Sequence, residues 1–251
     1  SLVTSMYQMF LYCKKLQSVD LSSFNTSSVT NMTQMFINCF QLKSLDLGNF
    51  DTSSVTTMYQ MFFGCESLES LNLRSFKTQK VTSMYQMFYN CSSLKSLDLS
   101  SFDTSSVTEM FQMFFGCGNL TSLNLRNFNT SKVTTMLEMF RGCSSLEFLD
   151  VSSFDTSLID YMGNMFYDCS KLTSLNLSNF NTSRVTAMEN MFLGCILLEI
   201  LDITNFDTSS VYNIANMFLD CQNIKTIDIS HFNTSKVVNM NGMFLNCMSL
   251  I

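Results

Sequence analysis

The chain has 251 residues, 46% of them apolar and 13% aromatic, which supplies a core and excludes wholesale disorder. Its net charge is −6 and its basic residues are scattered along the chain, which argues against nucleic acid as the main partner. No apolar run approaches the roughly 18 residues of a membrane span, and no proline- or glycine-rich linker divides the chain.

The ten cysteines, from Cys13 to Cys247, recur every 26 residues. A fixed period of roughly 20 to 50 residues marks a solenoid, propeller or array. With each Cys as position 1, a unit reads C-x-x-L-x-S-L-[DN]-L-S-x-F-[DN]-T-S-x-V-T-x-M-x-x-M-F-x-x. Position 12 is Phe and position 14 is Thr in all nine complete units. The expected domain is therefore a single repeat solenoid over 1–251, of about nine and a half coils. Both ends fall inside a repeat, so the chain reads as a mature or excised piece of something longer, uncapped at either end.

Within a unit, the first predicted element is a strand. L-x-S-L-D-L-S alternates apolar and polar residues, so Leu97 and Leu99 face in while Ser96, Asp98 and Ser100 face out. Next comes T-S-S-V-T, whose hydroxyls precede an apolar-periodic run and predict a helix start. Third is a short helix: Val107, Met110, Phe114 and Cys117 fall on one stripe, with Met113 on its margin. The fold class expected is α/β, a right-handed solenoid with short parallel strands on one face and short helices on the other.

Residues 94 to 117, LKSLDLSSFDTSSVTEMFQMFFGC, carry a signature that resembles the BspA-type leucine-rich repeats, in the variant abundant in mycoplasmal lipoproteins. The resemblance covers essentially the whole chain and loosens at Leu158-Ile159-Asp160 and at Val211-Tyr212-Asn213-Ile214. It implies cell-surface or extracellular display, with adhesion to proteins or glycans, and it supplies no catalytic residues. The leading function expected is a non-enzymatic surface scaffold. The alternative is a filament or coat subunit that self-associates end to end or laterally.

Several columns invite chemistry and are weighed against packing. M-F-Q-M-F-F-G-C at 110–117 has soft ligands for copper, yet Met and free Cys are also gap-filling core residues, so no metal and no cofactor is expected. Neighbouring coils lie close enough for disulfides, and the cysteines are read as a ladder of buried thiols or as bridges between coils. Asp and Asn tend to alternate at positions 8 and 13, with Lys80, Lys132, Arg184 and Lys236 at position 16 of units lacking Asp at position 13. Stacked carboxylates repel, so this alternation reads as charge relief along the stack. The Thr columns at positions 14 and 18 read as helix caps. Asn25, Asn129, Asn181 and Asn233 fall in one column of N-x-[ST] sequons, a candidate N-glycosylation edge. The least automatic feature is an aromatic band at positions 21 and 25: Tyr59, Phe63, Tyr85, Tyr89, Phe111 and Phe115, at the stripe's edge, where a partner can reach. His231, the only histidine, forms no triad and no His-rich metal site by itself.

Overall fold

The structure, a computed structural model, describes residues 2–251. Successive 26-residue units stack as coils in parallel register. Strands β1 (Ser44–Asp46) and β2 (Ser70–Asn72) pair Leu45 with Leu71; β3 (Ser122–Leu123) pairs with β4 (Phe148–Leu149), and β5 (Ser174–Asn176) with β6 (Ile200–Asp202). Each pairing joins residues 26 apart, so the ladder is the repeat itself. The alternation holds where no ladder forms: Leu97 and Leu99 are buried, while Ser96, Asp98 and Ser100 are exposed.

The expected helix is absent: no described residue is helical. Positions 19 to 26 form a run of tight turns instead. Met87, Tyr89 and Cys91 donate their N–H groups to the carbonyls of Met84, Gln86 and Phe88, three residues back. The third residue of the first and last of these turns takes a positive φ, 52° at Gln86 and 54° at Asn90, which no α-helix allows. The gain is lateral. Met84, Gln86, Phe88 and Asn90 donate to Glu109, Phe111, Met113 and Phe115 of the next coil, at 2.7–3.1 Å. A helix would spend those N–H groups internally; the turns spend every second one on the neighbouring coil, so both sides of the solenoid are stapled. Inward residues at positions 20, 23 and 24 recur in these turns at helix-like spacing, which is why the pattern predicted a helix.

The core lies between the two ladders. Position 24 contributes ten phenylalanines from Phe10 to Phe244, whose rings stack at 5.0–5.8 Å between neighbours. Met110, Met113, Phe114 and Cys117 are all at most 1% exposed, so Met113 sits fully inside rather than on a margin.

The position-14 threonines are not helix caps. They are at most 2% exposed from Thr26 to Thr208, and each brackets the next coil. Thr104 Oγ1 donates to the carbonyl of Asn129 at 2.9 Å and accepts the Asn129 N–H at 2.8 Å. One buried hydroxyl thus satisfies both backbone groups of a residue in the neighbouring coil. Position-18 threonines likewise bond back along the stack, Thr108 Oγ1 donating to Thr82 O at 3.2 Å.

The cysteines are free thiols, not bridges between coils. Cys117 Sγ donates to the carbonyl of Phe88 at 3.2 Å, and the same bond recurs from Cys39 to Cys247. Burial pushes the Cys117 thiol up to about 12.

Of the two segments where the repeat signature loosens, only the first disturbs the stack. The parallel bridges at position 19 run from Ser5 to Thr135, break, and resume at Tyr161. Tyr161 is the bulky member of this column; its ring fills the space over Gly163, where an added Cβ would lie 2.7 Å from it, and its hydroxyl donates to Glu189. Around Val211–Ile214 the bridges continue unbroken through Asn213.

Candidate binding faces

The turn side carries the aromatic band. Tyr59, Tyr85 and Phe111 stack at 4.8 and 4.7 Å, and beside them Phe63, Tyr89 and Phe115 stack at 4.4 and 4.5 Å. All six are half-buried. Their spacing equals the coil spacing because each ring leaves the same backbone position of successive coils. Stacking occupies the ring faces and leaves the edges and the Tyr hydroxyls outward. Burial raises the Tyr59, Tyr85 and Tyr89 phenols above their ordinary value, so they remain protonated donors.

Between the two aromatic columns runs a ladder of amides at position 22. Gln8 donates to Gln34 at 2.7 Å and Gln34 to Gln60 at 2.6 Å; Gln60, Gln86 and Gln112 continue it, ending on the Glu138 carboxylate. This ladder accompanies the positive φ that position 22 adopts throughout. Glu138 also pairs with Arg141 at 2.9 Å. The Arg141 guanidinium lies 5.4 Å from the Phe115 ring and 4.4 Å from the Tyr167 ring, closing the outer column with a cation–π sandwich. Beyond it the amide ladder restarts with asparagines, Asn216 donating to Asn190 and Asn190 to Asn164 at 3.1 Å.

On the strand side, the alternating carboxylates face solvent but are engaged locally. Asp98 accepts the Ser100 N–H at 3.1 Å, and Asp103 that of Ser105 at 2.9 Å; the Ser hydroxyls and amides hold both carboxyls below the usual range. Asn72 donates to Asp46 at 2.7 Å and Arg126 to Asp150 at 2.9 Å, which relieves charge at those coils, whereas Asp20 and Asp46, and Asp202 and Asp228, follow one another directly in the column. Ser152 and then Arg126 hold Asp150 down to about 2. Among the described residues no three His, Cys, Asp or Glu side chains converge, and no helix is long and apolar enough to cross a membrane. His231 is exposed and meets Phe232 edge-on at 5.1 Å.

Sequence reasoning missed one feature of this face. Position 6 is Ser in six of nine units, but Phe148 and Ile200 occupy it in β4 and β6, and they are 60% and 69% exposed. Comparing the column residue by residue would have found them. Asn25, Asn129, Asn181 and Asn233 are all exposed on one edge, their Oδ1 atoms accepting the N–H two residues on.

The repeat also matches a family model, described as a Mycoplasma protein of unknown function, over residues 4–122, 94–192 and 173–251. The chain belongs to this DUF285 family. The match covers almost the whole solenoid and accords with the resemblance to BspA-type leucine-rich repeats. No curated protein matches the chain. Among solved structures it is similar to a leucine-rich repeat protein from Bacteroides ovatus, at 20% identity over 99% of this chain and 78% of that one, with a TM-score of 0.37. The T. pallidum leucine-rich repeat protein is 20% identical over 84% of this chain and 78% of its own, TM-score 0.41. A leucine-rich cell surface protein from Faecalibacterium prausnitzii is 17% identical over 90% and 76%, TM-score 0.35. No residue role is transferred from any of the three.

Proposed function

We propose that this DUF285 solenoid is a non-enzymatic scaffold, displayed at a cell surface, that adheres to a protein partner through its aromatic band. The observation that carries the reading is the double stack of Tyr59, Tyr85, Phe111 and Phe63, Tyr89, Phe115, half-buried on the turn side. Aromatic anchors framed by polar groups suit a protein interface, because large rigid rings bury area at small entropic cost. They suit glycans less well. A sugar ring packs on an open aromatic face, and every inner face here is covered by the next ring, with Arg141 covering the end of the outer column. Surface display rests on the resemblance to BspA-type surface proteins. The non-enzymatic reading rests on the chemistry of the columns: their thiols are held protonated, their carboxylates cap local amides, and their single histidine stands alone.

The test is binding of the purified chain to immobilised extracellular matrix proteins and to a glycan array. Two variants control for folding: Tyr85→Ser/Tyr89→Ser/Phe115→Ser, and Tyr89→Arg, which repeats the residue found naturally in this column at Arg141. The expected result is retention of a matrix protein by the parent chain and at least tenfold weaker retention by both folded variants. Glycan binding without protein binding, or regular filaments of the parent chain in electron micrographs, would overturn the reading.

A further inference from the structure

On the far side of the core from the aromatic band, β4, β5 and β6 form an open groove of about 440 Å³. Its walls are Phe148 and Ile200, and its floor is Ser174, the ordinary residue of this column in the coil between them. The walls are two coils apart, roughly 10 Å at about 4.8 Å per coil. Two large side chains narrow that gap so that one further side chain fits, whereas a helix, about 10–12 Å across, does not. Two acids, Asp150 and Asp202, line the groove, and two more adjoin its walls in sequence. Glu147 and Glu199 precede the two wall residues, and Asp150 and Asp202 follow them by two. Asp150 is neutralised by Arg126, and Asp202 accepts bonds only from the N–H and hydroxyl of Thr204. Glu147 and Glu199 are exposed and enter none of the ion pairs among the described residues; Lys225, one coil beyond Glu199, does not pair with it.

Single exposed apolar residues are ordinary on a protein surface. Two of them in one column, flanking a small residue and accompanied by three carboxylates that enter no ion pair among the described residues, are a complementary surface for a particular chemistry. We propose that this groove takes an extended basic segment of a protein partner, with one aliphatic or aromatic side chain inserted between Phe148 and Ile200 over Ser174 and Lys or Arg side chains on either side of it reaching Glu147, Glu199 and Asp202. The apolar anchor supplies affinity by burial, and the carboxylates fix the register and select against acidic segments. This site is separate from the aromatic band and does not depend on it.

Fluorescence anisotropy of a labelled Gly-Lys-Lys-Phe-Lys-Lys-Gly peptide on the purified chain tests the proposal. Saturable binding is expected, weakened at least tenfold when the peptide Phe is replaced by Ala and lost when its Lys residues are replaced by Glu. The variant Phe148→Ser/Ile200→Ser restores the common residue of the column and so keeps the fold; it is expected to weaken binding at least tenfold, as is Glu147→Gln/Glu199→Gln. The charge-matched control Glu66→Gln/Glu69→Gln, and the band variant Tyr89→Arg, should bind within twofold of the parent. Unsaturable binding overturns the proposal. So does equal binding by Phe148→Ser/Ile200→Ser, or an equal loss in Glu66→Gln/Glu69→Gln, which would reduce the effect to the overall negative charge. Loss of matrix binding in the band variant with peptide binding intact separates this site from the function proposed above.

Discussion

The coils between Tyr59 and Phe115 and those between Leu137 and Leu193 share one interior and differ outside it. In both, position 24 is a buried stacked Phe, position 14 a bracketing Thr, and position 1 a thiol bonded to the preceding coil. Outside, the first region repeats its aromatic and amide columns faithfully, and the second does not. Arg141 replaces a ring, Glu138 replaces an amide, Gly163 gives way to Tyr161, and Phe148 breaks the serine column of the strand face. The stack needs its inward columns to be identical, because each coil is the packing surface of the next. Its outward columns pack against their neighbours on one side only and tolerate exchange, so individual character collects there.

If stability is set by the shared interior, equivalent core substitutions should cost the same in both regions. Phe114→Ala and Phe166→Ala are each expected to destabilise by about 3–5 kcal/mol in chemical denaturation. A difference above about 1 kcal/mol would mean that the outer columns stabilise one region more than the other. Thr104→Val and Thr156→Val keep volume but leave an N–H and a carbonyl of the next coil, Asn129 or Asn181, unbonded against a buried side chain. The expected loss is about 2–3 kcal/mol each, and Ser at the same sites should recover most of it.

Much of this arrangement was legible in the sequence. The 26-residue period gave coils and register, and the alternation around Leu97 gave the strand face correctly. The aromatic band was readable because Tyr59 through Phe115 recur in two fixed columns. The helix was misread because Val107, Met110, Phe114 and Cys117 have the spacing that both a helical stripe and a train of tight turns produce. The discriminating signal was position 26, which is Asn, Gly or Asp from Asn38 to Asn246, the residues that tolerate a positive φ best. The threonine role was hidden because the bond partners lie 25 residues away, beyond any local capping pattern. Phe148 and Ile200 were lost in a consensus that averaged over them.

The thiol ladder tests uniformity by pH. Folding raises the Cys39 and Cys117 thiols from about 9 to about 12, so their stabilising contribution is complete below pH 9 and falls as pH rises toward 12. Each buried thiol should remove about 1.4 kcal/mol per pH unit within that window. Denaturation at pH 8, 9 and 10 should show the decline, and Cys117→Ala should make it shallower. Alkylation at pH 8 should modify Cys117 only on unfolding. The smallest effect is expected at the seam between the two regions. Arg141→Ala loses the contacts to Phe115, Tyr167 and Glu138 on a side chain about a third exposed, and should cost about 1 kcal/mol. Arg141→Lys should recover part of it.

The amide column ending at Glu138 has a sense of direction. A carboxylate has no N–H to give, so Gln112 must donate to Glu138, Gln86 must then donate to Gln112, and the orientation passes back without choice to Gln8. On the other side Asn216 and Asn190 aim their amides the opposite way, toward Asn164. The two runs of side-chain dipoles therefore converge, and a backbone that looks the same at every step acquires an electrical midpoint. One acidic residue in one coil thus marks a point along an otherwise periodic stack.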